Sequence, residues 1–106
     1  NVNFEDCLIQ NADYGGLLAN KCNTVTIENV NAYNCNIKSN NAGAITGAIL
    51  GTDSLIRNCN VDRCTVIGGT AAGGVTSVTQ SDTLVQHVSA TKCDIISNGK
   101  AYGVSP

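Results

Sequence analysis

Six cysteines in 106 residues are the groups to weigh first for chemistry. Two of them stand in Asn58-Cys59-Asn60-Val61-Asp62-Arg63-Cys64-Thr65, a stretch open to three readings: a metal site, a redox pair, or one rung of a repeat. Zinc sites draw on Cys-x-x-Cys knuckles or on histidines at ligand spacing. Here four residues separate the two thiols, and the sequence holds one histidine, His87. The zinc reading is set aside on that spacing.

Carboxylates and bases come next. Cleavage of a polysaccharide calls for clustered carboxylates, or a base with Arg or Lys beside it, on one exposed face. Asp62 and Arg63 form the best such pair, and Tyr33 and Lys92 join them once the chain is aligned on itself. These four are the candidate ligand-binding or catalytic set, with Tyr33 as the aromatic on which a sugar would stack. A solvated turn explains the same residues. Asp53 and Asp82 lie one repeat apart, in Thr-Asp-Ser and Ser-Asp-Thr. Stacked carboxylates of that kind form a calcium candidate, and Asx turns explain them equally.

Internal similarity runs the whole length. The segments from Val2 to Ile9, Val30 to Ile37, Cys59 to Val66 and Val88 to Ile95 superimpose, and a cysteine column results: Cys7, Cys35, Cys64, Cys93. A glycine–aliphatic element follows each segment and carries Leu17, Ile45, Val75 and Val104. An Ile-x-Asn-like element precedes three of them: Ile27-x-Asn29, Ile56-x-Asn58, Val85-x-His87. About four units of roughly 29 residues (1–25, 26–54, 55–83, 84–106) therefore make one array with no linker.

Composition limits the partners. Charged residues are 13% and the net charge is −2, so no electrostatic footprint for nucleic acid or an anionic membrane is present. No apolar run approaches the ~18 residues of a membrane-spanning helix, so membrane insertion is not expected. Asn, Thr, Val, Ile and Gly dominate, which favours strands and turns. The first residues show neither an initiator Met nor a signal-peptide layout, and a processed or excised chain is expected.

Within a unit, Val30, Ala32, Cys35 and Ile37 alternate with polar residues, and the phase slips once at Tyr33-Asn34. Two short strands joined by a bend follow from that pattern, and the glycine–aliphatic segment is read as a further strand. Each strand has only two or three inward side chains, too few to close a core alone. Stacking the units about 4.8 Å apart buries them as columns. The prediction is an all-β parallel β-helix, or β-solenoid, of about four rungs. Its inward columns are Val2/Val30/Cys59/Val88, Phe4/Ala32/Val61/Ala90, the four cysteines, and Ile9/Ile37/Val66/Ile95. Asn1, Asn29, Asn58 and His87 fall at a bend where amides hydrogen-bond along the stack, so Asn29 and Asn58 join the cysteines as the structural ladder. A threonine column of Thr46, Thr76 and Ser105 is single, which is too little for an ice-binding face.

Ile56-x-Asn58-Cys59-x-Val61, Val66-x-Gly68 and Gly73-Gly74-Val75 resemble the repeats of GLUG-type and polymorphic-outer-membrane-protein-type surface β-helix proteins. The likeness implies a right-handed helix and an extracellular or cell-surface location.

The cysteines read best as small buried hydrophobes. Stacked Cα atoms about 4.8 Å apart fall inside the disulfide range, but parallel Cβ atoms stay farther apart than a bridge prefers. Mostly free thiols are expected, with at most one strained bridge; Cys22 lies outside the column. No polar capping unit is visible, and open rungs template further pairing. The expected role is a structural or adhesive extracellular β-helix without a cofactor. It would be a segment of a larger surface protein or a subunit stacking end to end, with glycans or a host surface as further partners. A carbohydrate-binding or polysaccharide-active β-helix is the alternative.

Overall fold

A computed structural model describes residues 2–50, 53–79 and 83–103. The first pass of the chain comprises β1 (Val2–Glu5), β2 (Leu8–Gln10), β3 (Tyr14–Gly15) and β4 (Ala19–Asn23). The second comprises β5 (Thr26–Glu28), β6 (Val30–Tyr33), β7 (Asn36–Gly43) and β8 (Thr46–Leu50). The third holds β9 (Leu55–Asp62), β10 (Thr65–Gly73) and β11 (Val78–Thr79), and the fourth β12 (Leu84–Thr91), β13 (Asp94–Ser97) and β14 (Lys100–Tyr102). Every strand pairing is parallel and joins one pass to the next. The result is an all-β solenoid of about three turns.

Three sheets line the stack. The first runs β1-β6-β9-β12 with β5 also on β9, the second β2-β7-β10-β13 with β3 and β14 on the same two central strands, and the third β4-β8-β11. In the first sheet Val2 pairs with Val30, Phe4 with Ala32, Ala32 with Val61, and Val88 with Cys59. In the second, Ile9, Ile37, Val66 and Ile95 share one column. These are the pairings expected from the alternation, although Val2 in the first pass is 46% exposed.

Two recurring bends use left-handed backbone, and Thr24 and Asp53, one repeat apart, are left-handed as well. Asp6, Asn34, Arg63 and Lys92 have φ of 54°, 54°, 54° and 52°; Asn29, Asn58 and His87 have 58°, 57° and 52°. At each bend two consecutive side chains face outward, as at Tyr33-Asn34 and Glu28-Asn29, which is why the alternation slips. The left-handed N–H then reaches the neighbouring pass: Asn34 donates to the Asp62 carbonyl at 3.0 Å and Asn29 to that of Arg57 at 3.1 Å. Asn and Asp visit this region more readily than other non-glycine residues because their short polar side chains bond locally. Arg63, Lys92 and His87 lack that compensation.

The glycine–aliphatic element departs from the expectation of a strand. Gly43 ends β7, Ala44 and Ile45 make a corner, and the strand begins only at Thr46. The reason is steric: a Cβ on Gly43 would stand 2.2 Å from the Thr46 carbonyl oxygen of its own pass and 2.6 Å from the Thr76 Cα of the next. The corner register also differs between the first two passes, since Ala19 pairs with Thr46 and Leu18 donates to the Ile45 carbonyl. Leu18, not Leu17, therefore stands opposite Ile45 in the backbone. Between the second and third passes a bulge at Gly68–Ala71 absorbs the extra residue.

The core is a stack of apolar columns. Ile27, Ile37, Ile45, Ile49, Ile56, Val61, Val66 and Val75 are at most 3% exposed. Each such side chain contributes about 1.5–3 kcal/mol relative to exposure. At the two ends the same columns are half-buried: Phe4, Cys7 and Ile9 in the first pass, Val85, Val88, Cys93 and Ile95 in the fourth. Among the described residues no helix is long and apolar enough to cross a membrane.

Candidate functional site

The bend after the first sheet brings together three of the four candidate ligand-binding residues. Tyr33 pairs with Asp62 across two passes, so their side chains stand one above the other on the outer face. Arg63, next to Asp62, places its guanidinium 5.6 Å from the Tyr33 ring centroid and bonds the Asp62 carboxylate, Nη1 to Oδ2, at 2.5 Å. Lys92 occupies the same left-handed bend one pass further along.

This cluster satisfies itself. The guanidinium lies over the Tyr33 ring, so a sugar stacking on that face would displace it. Exposed ion pairs and cation–π contacts of this kind contribute about 1 kcal/mol or less each. Another carboxylate of the same outward column, Glu5, lies two passes from Asp62 with Tyr33 between them. The arrangement is a braced turn.

The amide ladder runs in a different column from the one expected. Asn31 donates from Nδ2 to Asn3 Oδ1 at 2.9 Å, Asn60 from Nδ2 to Asn31 Oδ1 at 3.3 Å, and Ser89 from Oγ to Asn60 Oδ1 at 2.7 Å. Asn29 and Asn58 supply left-handed backbone at their bend, while at the other bend the left-handed Asn34 donates from Nδ2 to Asp6 Oδ1 at 2.7 Å. The signal was in the sequence: Asn3, Asn31 and Asn60 align in the same repeat, two positions after Asn1, Asn29 and Asn58. Glu28 and Arg57 add an ion pair between passes, with Arg57 Nε 3.0 Å from Oε2.

The cysteines sit at equivalent places in successive passes, since Asn36 donates to the Cys7 carbonyl, Thr65 to that of Cys35 and Asp94 to that of Cys64. All six thiols are free, and the single bridge allowed for does not form. Burial pushes the Cys64 thiol up to about 11 and raises those of Cys35 and Cys59. A thiol held neutral is a poor nucleophile and a poor metal ligand. Among the described residues no three His, Cys, Asp or Glu side chains gather as a metal site. Asp53 is exposed with φ of 59°, and its calcium partner Asp82 lies outside the described residues. His87 is exposed at its bend. Thr46 and Thr76 are fully buried, so they present no flat outer face, and Ser105 lies outside the described residues.

Sequence reasoning missed one concavity. An open groove of about 490 Å³ lies where the second and third sheets meet, lined by Asn41, Thr70, Ser77, Thr79, Lys100 and Tyr102 among others. Its residues come from three passes and from both sides of a corner, so no local motif announces it. A scan against protein-family models finds no match, and comparisons with curated proteins and with solved structures find none either.

Proposed function

We propose that this chain is a structural scaffold of an extracellular or cell-surface protein, in which a rigid β-solenoid displays its outer faces. One observation carries the reading: the apolar columns that are sealed in the middle passes run out, half-buried, at both ends of the stack. Such ends match further β-rungs, whether flanking repeats of a longer chain or another subunit, because unpaired parallel strands present a complete row of donors and acceptors. The buried thiols act in this reading as an inert cysteine ladder, small apolar groups that fill the bend column.

The likeness of Ile56-x-Asn58-Cys59 and Gly73-Gly74-Val75 to surface β-helix repeats supports the same location and an adhesive use of the faces. Lys21, Lys38, Lys92 and Lys100 are exposed and report on it. Intact native cells treated with a membrane-impermeant amine label should yield labelled chain. Labelling that appears only after lysis refutes the location.

The groove favours a second reading, glycan binding. Tyr102 offers a ring, and Lys100, Asn41 and the hydroxyls of Thr70 and Thr79 offer polar groups around a volume that suits one or two sugar rings. A glycan array on the folded chain, with Lys100→Ala beside it, tests this. Binding lost in that variant upholds the reading, and an array without signal removes it.

A further inference from the structure

Four sulfurs stand in file through the bend column. Each cysteine donates from Sγ to the carbonyl two residues before it: Cys7 to Glu5 at 3.3 Å, Cys35 to Tyr33 at 3.3 Å, Cys64 to Asp62 at 3.4 Å and Cys93 to Thr91 at 3.2 Å. One bond repeated four times means one side-chain conformation repeated four times. The later sulfurs also face the pass before their own. Cys35 Sγ lies 3.7 Å from the Phe4 carbonyl oxygen, Cys64 Sγ 3.4 Å from the Cys35 nitrogen, and Cys93 Sγ 3.7 Å from the Val61 carbonyl oxygen. Successive sulfurs are therefore displaced by the strand spacing, about 4.8 Å.

That spacing does not suit a disulfide, but it suits another bridge. A metal–thiolate bond of the length found at zinc is about 2.3 Å, so two laid end to end span about 4.6 Å. An ion midway between neighbouring sulfurs would meet both in a straight line. Zinc requires four ligands in a tetrahedron and would find two. Soft ions select thiolates, and mercury(II) is satisfied by two of them in a line. Two thiolates also cancel its charge, which decides the matter in a column where Cys35 and Cys64 are 0% and 1% exposed. A monovalent soft ion would leave a negative charge buried there.

We propose that the cysteine ladder binds soft divalent ions that take two thiolates, one between Cys7 and Cys35 and one between Cys64 and Cys93. Each pair joins a half-buried thiol, where the ion enters, to a buried thiol that completes its coordination. The ion bonds to both sulfurs, both S–H bonds break, and two protons pass to water; nothing is oxidised or reduced. A coordinating thiol is deprotonated outright, so a thiol that is neutral when free is still open to an ion that binds sulfur strongly enough to displace the proton. A third ion, between Cys35 and Cys64, would leave excess positive charge in the core, so the ladder fills with two. The scaffold reading uses these thiols only as filler toward ordinary ions, and the proposal stands independently of it.

The test loads the full chain, freed of reductant, with two equivalents of mercuric chloride, with circular dichroism as the fold check. X-ray absorption at the mercury edge should count two sulfurs per ion, and sedimentation velocity should match the unloaded chain. N-ethylmaleimide, mapped by mass spectrometry, should then modify Cys22 while Cys7 and Cys93, reactive before loading, are protected. One sulfur per ion overturns the proposal, because it means single thiols capped separately. So does a loaded chain that sediments as a dimer, which places the ion between copies, or one that unfolds on loading. Protection of Cys22 in place of Cys7 and Cys93 overturns it as well. Cys7→Ser removes one half-buried thiol at the end of the file, and its two-sulfur ions should fall from two per chain to one; retention of both refutes the pairing. The wild-type measurements decide the proposal even if that variant fails to fold.

Discussion

Alkaline pH should loosen this fold through one thiol more than any other. Cys64 is 1% exposed, and desolvation by burial, the largest cause, lifts its thiol from 9.0 to about 11, while the Cys35 N–H facing its sulfur at 3.4 Å partly offsets the shift. The folded state therefore holds the proton more tightly than the unfolded chain. Stability is full below pH 9 and falls as pH rises through 11, because in that window the unfolded state has already released a proton that the native state keeps. At ~1.4 kcal/mol per pKa unit, the loss is about 1.4 kcal/mol at pH 10 and approaches about 2.7 kcal/mol above pH 11. Urea unfolding at pH 8 and pH 10, with reductant present, measures it in the wild type and in Cys64→Ala. The substitution shifts both wild-type values by a packing loss that does not depend on pH, and Cys35 and Cys59 titrate in both proteins. The wild type should lose about 1.4 kcal/mol more than the variant between the two pH values. Equal losses would refute the assignment of a desolvated thiol to this position.

Three further outcomes follow from the same geometry. Iodoacetamide at pH 8 should modify Cys7, Cys22 and Cys93 well before Cys35, Cys59 and Cys64, as read by mass spectrometry, because the last three are buried and neutral. Gly43→Ala should cost about 1–3 kcal/mol or more in chemical denaturation, since its Cβ meets the Thr46 carbonyl of its own pass and backbone of the third; a neutral result would show that the corner can open. Lys92→Gly should raise stability by about 0.5–1 kcal/mol while Lys92→Ala gives no gain, because only glycine relieves the left-handed cost at φ 52°.

Most of the fold was legible because a solenoid repeats one local problem. The columns through Val30, Ala32, Cys35 and Ile37 needed only alternation and a period, and each inward residue is inward for the same reason in every pass. The slip at Tyr33-Asn34 marked a bend correctly, since two outward side chains in succession require the backbone to turn. The corner was less legible. Gly43 is consistent with a strand, a bulge or a close approach, and only the positions of the Thr46 carbonyl and of Thr76 on the next pass decide between them. The amide ladder was visible as a column of Asn3, Asn31 and Asn60, but Asn29 and Asn58 form a column too. What separates them is which side chains meet between passes, as those of Asn3, Asn31 and Asn60 do, and left-handed φ does not decide it, since the left-handed Asn34 and Asp6 also bond across passes.

The candidate site divides the same way. That Tyr33, Asp62 and Arg63 meet on one bend follows from the period alone. That Arg63 covers the Tyr33 ring does not, because a long side chain chooses among partners on neighbouring passes by distances that no repeat encodes. The groove beside Lys100 belongs wholly to tertiary structure. It arises where residues of different passes and sheets converge. The sequence by itself determined the columns, the period and the parallel stack, since these are sums of identical short-range choices. The three-dimensional arrangement decided which faces are occupied and where the groove lies, since these depend on single contacts between passes about 29 residues apart.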